Sequence, residues 1–176
     1  MGGTSLSTSP QAPKPRDCLK TARAACGPVN ELLTSPGQPR ERRGHCLCGA
    51  VQFIAVGEPR WVAHCHCDSC RRTTSSPMTT YAGYETSQVT WAGTPRATYI
   101  SSPGVQRGFC PRCGTPVSFS GERWAGEVHL FVVSFEEPTS FAPRAHVHAG
   151  EQLPWLQLHD GLPRYHTTAR EGPPLP

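Results

Sequence analysis

The apolar residues of this chain fall in short alternating stretches, none longer than a single strand. In Ala50-Val-Gln-Phe-Ile-Ala-Val56, Val51 and Phe53 share one face and Gln52 takes the other, the two-residue period of a half-buried strand. Trp61-Val-Ala-His-Cys65 predicts a second strand. Met78 to Gly83, Ser87 to Trp91 and Arg96 to Ser101 predict three more, punctuated by Gly83, Gly93-Thr-Pro95 and Pro103-Gly104. Thr115 to Ser120, Glu127 to Phe135 and Ala145 to His148 complete the set, with Glu127 to Phe135 the strongest. About eight short strands with turn signals between them predict an all-β domain of small antiparallel sheets.

Composition sharpens this picture. Of 176 residues only 36% are hydrophobic, while 19 are Pro and 17 are Gly, so turns are many and core material is scarce. Residues 1–42 are rich in Ser, Thr, Pro and Arg without a sustained period and are expected to form a disordered basic tail. A weak helix is conceivable over Thr21 to Leu33, broken by Gly27-Pro28. The domain is expected over residues 43–168, with a short C-terminal tail over 169–176. The net charge of +4 lies wholly before Cys46, since Arg balances Asp and Glu from there on. A neutral body argues against a nucleic-acid groove, although the basic tail could touch a phosphate backbone.

Met1 to Asp17 lacks the apolar stretch of a secretory signal, and no apolar run is long enough to span a bilayer. A cytoplasmic, non-membrane protein with reduced thiols is therefore expected. That matters because seven of the nine cysteines form three tight groups: Cys46-Leu-Cys48, Cys65-His-Cys67-Asp-Ser-Cys70 and Cys110-Pro-Arg-Cys113. Thiolates at such spacings converge on a metal ion. Four make a closed zinc site, and three leave a coordination position open, as a catalytic zinc does. Cys110-Pro-Arg-Cys113-Gly114 reads as a zinc knuckle whose other half is most simply Cys46 and Cys48. Cys65, Cys67 and Cys70 can hold an ion locally. Spacing alone leaves the pairing open, because Cys65 and Cys67 could join the knuckle instead. His64 and His66 are candidate fourth ligands, although strand alternation turns His66 away from Cys65 and Cys67. Cys18 and Cys26 read as free thiols of the tail or as donors of a missing ligand.

Four motifs stand in order: Gly44-His-Cys-Leu-Cys-Gly-Ala-Val51, Cys65-His-Cys-Asp-Ser-Cys-Arg71, Arg107-Gly-Phe-Cys-Pro-Arg-Cys-Gly-Thr-Pro116, and Pro154-Trp155 with Asp160-Gly-Leu-Pro-Arg-Tyr165. Together they closely resemble the glutathione-dependent formaldehyde-activating family, also called the CENP-V/GFA domain, from about Arg43 to His166. The resemblance implies an Mss4-like fold of coiled antiparallel sheets stapled by two zinc ions. It implies a structural zinc on Cys46, Cys48, Cys110 and Cys113, and a catalytic zinc on Cys65, Cys67 and Cys70. It further implies a carbon–sulfur lyase joining a small thiol, glutathione, to formaldehyde as S-hydroxymethylglutathione. The alternative is a non-catalytic zinc-binding interaction module of the same fold.

Other residues are weighed on their own. Arg71 and Arg72 suit an anionic group such as a carboxylate, or else balance Asp68 on the surface. Thr73, Thr74, Ser75 and Ser76 could line the site. Phe53, Trp91, Phe109 and Trp155 read as core. Tyr165 is expected to pack, and Arg164 to pair with Asp160 or grip a substrate carboxylate. His146 and His148 read as surface or edge imidazoles on one strand face. No nucleophile elbow, phosphate loop or paired-carboxylate motif is present.

Overall fold

The computed structural model describes residues 39–176. Cys18, Cys26 and the helix expected over Thr21 to Leu33 lie outside the described residues. Two sheets build the domain. The smaller has the order β1-β2-β5, from Glu41–His45, Val51–Val56 and Val89–Gly93. The larger uses β3 (Trp61–Cys65), β4 (Thr79–Glu85), β6 (Ala97–Ser102), β7 (Val105–Phe109), β8 (Pro116–Gly121), β9 (Glu127–Phe131) and β10 (His146–Val147). Its order is β10-β3-β4-β9-β8-β7-β6, antiparallel except for β10 against β3. The one α-helix among the described residues, α1 (Asp68–Thr74), follows β3. The all-β expectation holds, with no barrel.

Alternation places the core. Val51, Phe53 and Ala55 turn inward from β2; Phe53 and Ala55 meet Val62, Ala82, Tyr84, Val128, Leu130 and Phe135 between the sheets, while Val51 packs with Cys46, Cys110 and Val117. Phe53 meets Phe135 edge to face at 5.0 Å between ring centres. Glycine sets the closest approach. A Cβ on Gly83 would fall 2.2 Å from the Trp61 indole, so only glycine lets that ring lie across β4. The strand expected over Glu127 to Phe135 ends at Phe131, where a 3₁₀ turn over Val132–Ser134 closes through Phe135 N–H to Val132 C=O at 3.2 Å.

Three elements escape the alternation pattern. In β1 the inward residue is Arg42, whose guanidinium is satisfied by Gly57 C=O at 2.7 Å and by Glu58 at 2.8 Å. In β7 the inward position is Arg107. Helix α1 is only seven residues long, too short to show a helical period.

Candidate metal centres

Two knuckle turns bring the outer cysteines together. Cys46 directly follows β1, and Gly49 N–H bonds back to Cys46 C=O at 2.9 Å, so Cys46-Leu-Cys48 is a tight turn rather than an extended segment. The second turn repeats the design, with Gly114 N–H on Cys110 C=O at 2.9 Å. Gly49 and Gly114 sit at φ +72° and +74°, where a side chain would be strained. The four sulfurs lie within 4.8 Å of one another. Cys46 Sγ is 3.6 Å from Cys48 Sγ, and Cys48 Sγ is 3.8 Å from Cys110 Sγ. A tetrahedron of Zn–S bonds of about 2.3 Å has edges of about 3.8 Å, so the sulfurs present fit such an ion. Burial opposes ionisation of Cys113, yet bonds to its sulfur from the Thr115 hydroxyl and backbone outweigh it and hold the thiol at about 6. The cluster ties the β1–β2 hairpin of one sheet to the β7–β8 hairpin of the other.

Cys65, Cys67 and Cys70 form the second group, also within 4.8 Å, and could hold a second ion. Cys65 ends β3. Cys67 is the N-cap of α1, its sulfur accepting Cys70 N–H at 3.3 Å, and Cys70 is the inward residue of the helix. Tyr81 O–H donates to Cys70 Sγ at 3.5 Å. Bonds from Cys65 and then Cys67 hold Cys70 far down, to about 2, whereas bonds with Cys67 and then Cys70, together with burial, push Cys65 up. His66 is not part of the cluster.

His66 belongs to a different arrangement. His66 and His146 are fully buried and 2.8 Å apart between His66 Nε2 and His146 Nδ1. His146 Nε2 meets the Asp160 carboxylate at 2.9 and 3.1 Å. Burial is the largest influence on His66, neighbouring charges act the same way, and together they lower it to about 4, so its ring is neutral. Asp160 stays ionised: the cost of burial is overcome by Leu162 N–H and the His146 bond. The carboxylate thus accepts from His146 Nε2–H, and His146 Nδ1 and His66 Nε2 share one hydrogen bond. His64 stacks on His146 at 5.0 Å and meets Thr80 Oγ1 at 2.8 Å.

This corrects the sequence reading in four places. His146 is core rather than an edge imidazole, because β10 is covered by the Pro163–Tyr165 segment: His146 N–H bonds to Pro163 C=O and Tyr165 N–H to His146 C=O, both at 2.8 Å. His148 leaves the strand at φ +54° and faces Glu151. Arg164 donates to Gln152, since Asp160 is taken by His146. Trp155 is 68% exposed and lines a cleft of about 370 Å³ with Leu153, Asp68, Arg71, Arg72, Ser75, Ser76 and Pro77. Thr73 and Thr74 instead bond back to the carbonyls of Ser69 and Cys70. Sequence reasoning missed Tyr81 and Asp160 as neighbours of this region. The one available signal was the Asp160-Gly-Leu-Pro motif.

Both arginines touch Asp68, Arg72 Nε at 2.7 Å and Arg71 Nη2 at 3.5 Å, so surface charge balance is part of their role. Arg71 Nε is nonetheless buried without a partner among the described residues. No helix among the described residues is long and apolar enough to cross a membrane.

Two thiol clusters that could each hold a metal ion, one on paired knuckle turns and one at the junction of β3 and α1, set the class of this β protein. Residues 41–151 match the model of the family described as glutathione-dependent formaldehyde-activating enzyme, and the chain belongs to that family. A Schizosaccharomyces pombe protein described as an uncharacterised lyase is 34% identical over 80 residues, covering 46% of this chain and 58% of that protein. The chain thus spans less than two thirds of that relative's length. A putative glutathione-dependent formaldehyde-activating enzyme of Halomonas elongata is 27% identical over 125 residues, covering 65% of this chain and 79% of its own. A solved Rhodobacter sphaeroides protein is similar at TM-score 0.47 and 22% identity, covering 58% of this chain and 92% of that one. The expectation of a lyase-type enzyme agrees with the family and with both relatives' names.

Proposed function

We propose that the chain is a zinc-dependent carbon–sulfur lyase-type enzyme that joins a small thiol, glutathione, to formaldehyde. The carrying observation is the difference between the two clusters. Four sulfurs close one; three leave the other short of a tetrahedral set, and helix α1, which carries Cys70, also supplies Arg71 and Arg72 to a cleft. Cys46, Cys48, Cys110 and Cys113 would hold a structural ion. Cys65, Cys67 and Cys70 would hold the catalytic one, and all three are the catalytic residues of this reading. A bound zinc ion would supply positive charge that favours the thiolate form of a thiol beside it.

The chain's own residues do the rest. Arg71 and Arg72, at the cleft mouth, suit the carboxylates of glutathione, with Trp155 and Leu153 as an apolar wall and Ser75 and Ser76 as polar partners. The carboxylates then fix where the sulfur sits. In the reaction the thiol sulfur attacks the formaldehyde carbon, a C–S bond forms, the C=O π bond breaks, and the thiol proton ends on the new hydroxyl. Nothing is oxidised or reduced.

Exchange NMR on ¹³C-formaldehyde with glutathione tests this. Faster exchange with zinc-loaded wild type than with Cys67→Ser is expected. Equal rates, with metal content confirmed, would overturn the reading and favour the non-catalytic interaction module.

A further inference from the structure

Arg107 sits in the middle of β7, opposite Phe119 of β8, which in turn opposes His129 of β9. Its guanidinium lies 5.2 Å from the centre of the Phe119 ring. Phe119 packs against Tyr81 at 6.3 Å, and Tyr81 is bonded to Cys70. Arg107, Phe119, His129, Tyr81 and Cys65 share one face of the large sheet, by the alternation of their strands. Arg107 is only 8% exposed. Its Nε donates to Ser101 Oγ at 3.1 Å, while Nη1 is buried with no acceptor and no carboxylate pairs with it among the described residues.

An arginine cannot discard its proton, and a buried charge without a partner costs several kcal/mol. Arg42, the other deeply buried arginine, meets that requirement with Glu58 at 2.8 Å. Arg107 has no such partner, and its path through Phe119 and Tyr81 leads to Cys70. Three thiolates around a divalent ion carry a net charge of −1, which one guanidinium balances. A fourth thiolate makes it −2, so the cationic partner on that face matters more once a thiol is bound. We infer that Arg107 is the counter-ion of the three-cysteine cluster, its one positive charge cancelling the −1 of the free site and holding the site with a bound substrate thiolate at −1 rather than −2. This rests on the reading of that cluster as a metal and thiol site.

The full chain loaded with cobalt(II) tests it. Glutathione is titrated while sulfur-to-cobalt charge-transfer absorption is followed, and a chelator competes separately for each ion. Arg107→Met is expected to need about tenfold more glutathione than wild type, with Arg107→Lys recovering most of the loss and the four-cysteine site unchanged. Equal glutathione affinity in Arg107→Met overturns the inference. If wild type itself takes up no thiol, the functional reading fails on its own, and the chelator arm still decides. Weaker retention confined to the three-cysteine site and restored by lysine supports the counter-ion; unchanged retention overturns it. Should Arg107→Met not fold, Arg107→Gln against Arg107→Lys carries the same comparison.

Discussion

His66 Nε2 and His146 Nδ1 lie 2.8 Å apart across 80 residues of chain, joining the turn between Cys65 and Cys67 to the last strand of the large sheet. Asp160 extends the chain of bonds to the surface. His146→Ala leaves His66 Nε2 without a partner in a fully buried place and takes from Asp160 its imidazole donor. A loss of about 2–3 kcal/mol in urea unfolding is expected. Asp160→Ala alone should cost less, about 1 kcal/mol, and almost nothing once His146 is gone. A double-mutant cycle measures the difference. Additive losses would mean that the three groups do not act as one chain.

The two cysteine clusters should respond differently to loss of one sulfur. Cys110→Ser opens the staple between the two hairpins and leaves a buried hydroxyl among thiolates. The folded fraction is expected to collapse, seen as loss of the cooperative melt along with metal. Cys67→Ser removes a sulfur from the other cluster but leaves a serine at the N-cap of α1, where serine caps well. Its melt should stay close to wild type, with one metal equivalent fewer. A collapse of Cys67→Ser would make the middle cluster structural.

What could be read from sequence followed how local the signal was. Trp61–Cys65 announced itself by composition, and the cysteines by spacing, so the strand and the members of each knuckle were legible. β1 and β7 were not, because Arg42 and Arg107 occupy inward positions where a pattern of apolar residues is sought. Helix α1 was hidden by its length. The His66–His146–Asp160 chain was invisible because a buried imidazole satisfied by another imidazole leaves no periodic trace. Trp155 misled in the opposite direction: tryptophan is usually covered, and here it forms a cleft wall.

His129 predicts an acid-sensitive fold. Burial among Trp61, Phe119 and Trp124 drives it down to about 4, against the pull of Glu127 at 3.6 Å. In the unfolded chain an ordinary histidine titrates near 6.5. Between these values the unfolded state binds more protons, so this contribution is full above about 6.5 and fades as pH falls toward 4. By pH 5 roughly 2 kcal/mol is lost. The advantage of wild type over His129→Gln in urea unfolding should shrink by that amount between pH 7 and pH 5. A constant gap would show that His129 does not titrate in this window.

Ser75 caps α1 in the left-handed region, at φ +50° and ψ +38°, with its N–H on Arg71 C=O. A side chain there costs roughly 1 kcal/mol that glycine avoids, and glycine gives back part of this in unfolded-state entropy. Ser75→Gly should therefore stabilise the fold by about 0.5 kcal/mol. Ser75 also lines the cleft with Arg71 and Ser76, so strain is held where the carboxylate-binding reading needs a hydroxyl. The same variant should bind glutathione several-fold more weakly, by about the worth of one hydrogen bond. Melting and glutathione titration on one preparation separate the two effects. A variant that is both more stable and equally avid would leave the serine without a role in the cleft and remove Ser75 from the candidate site.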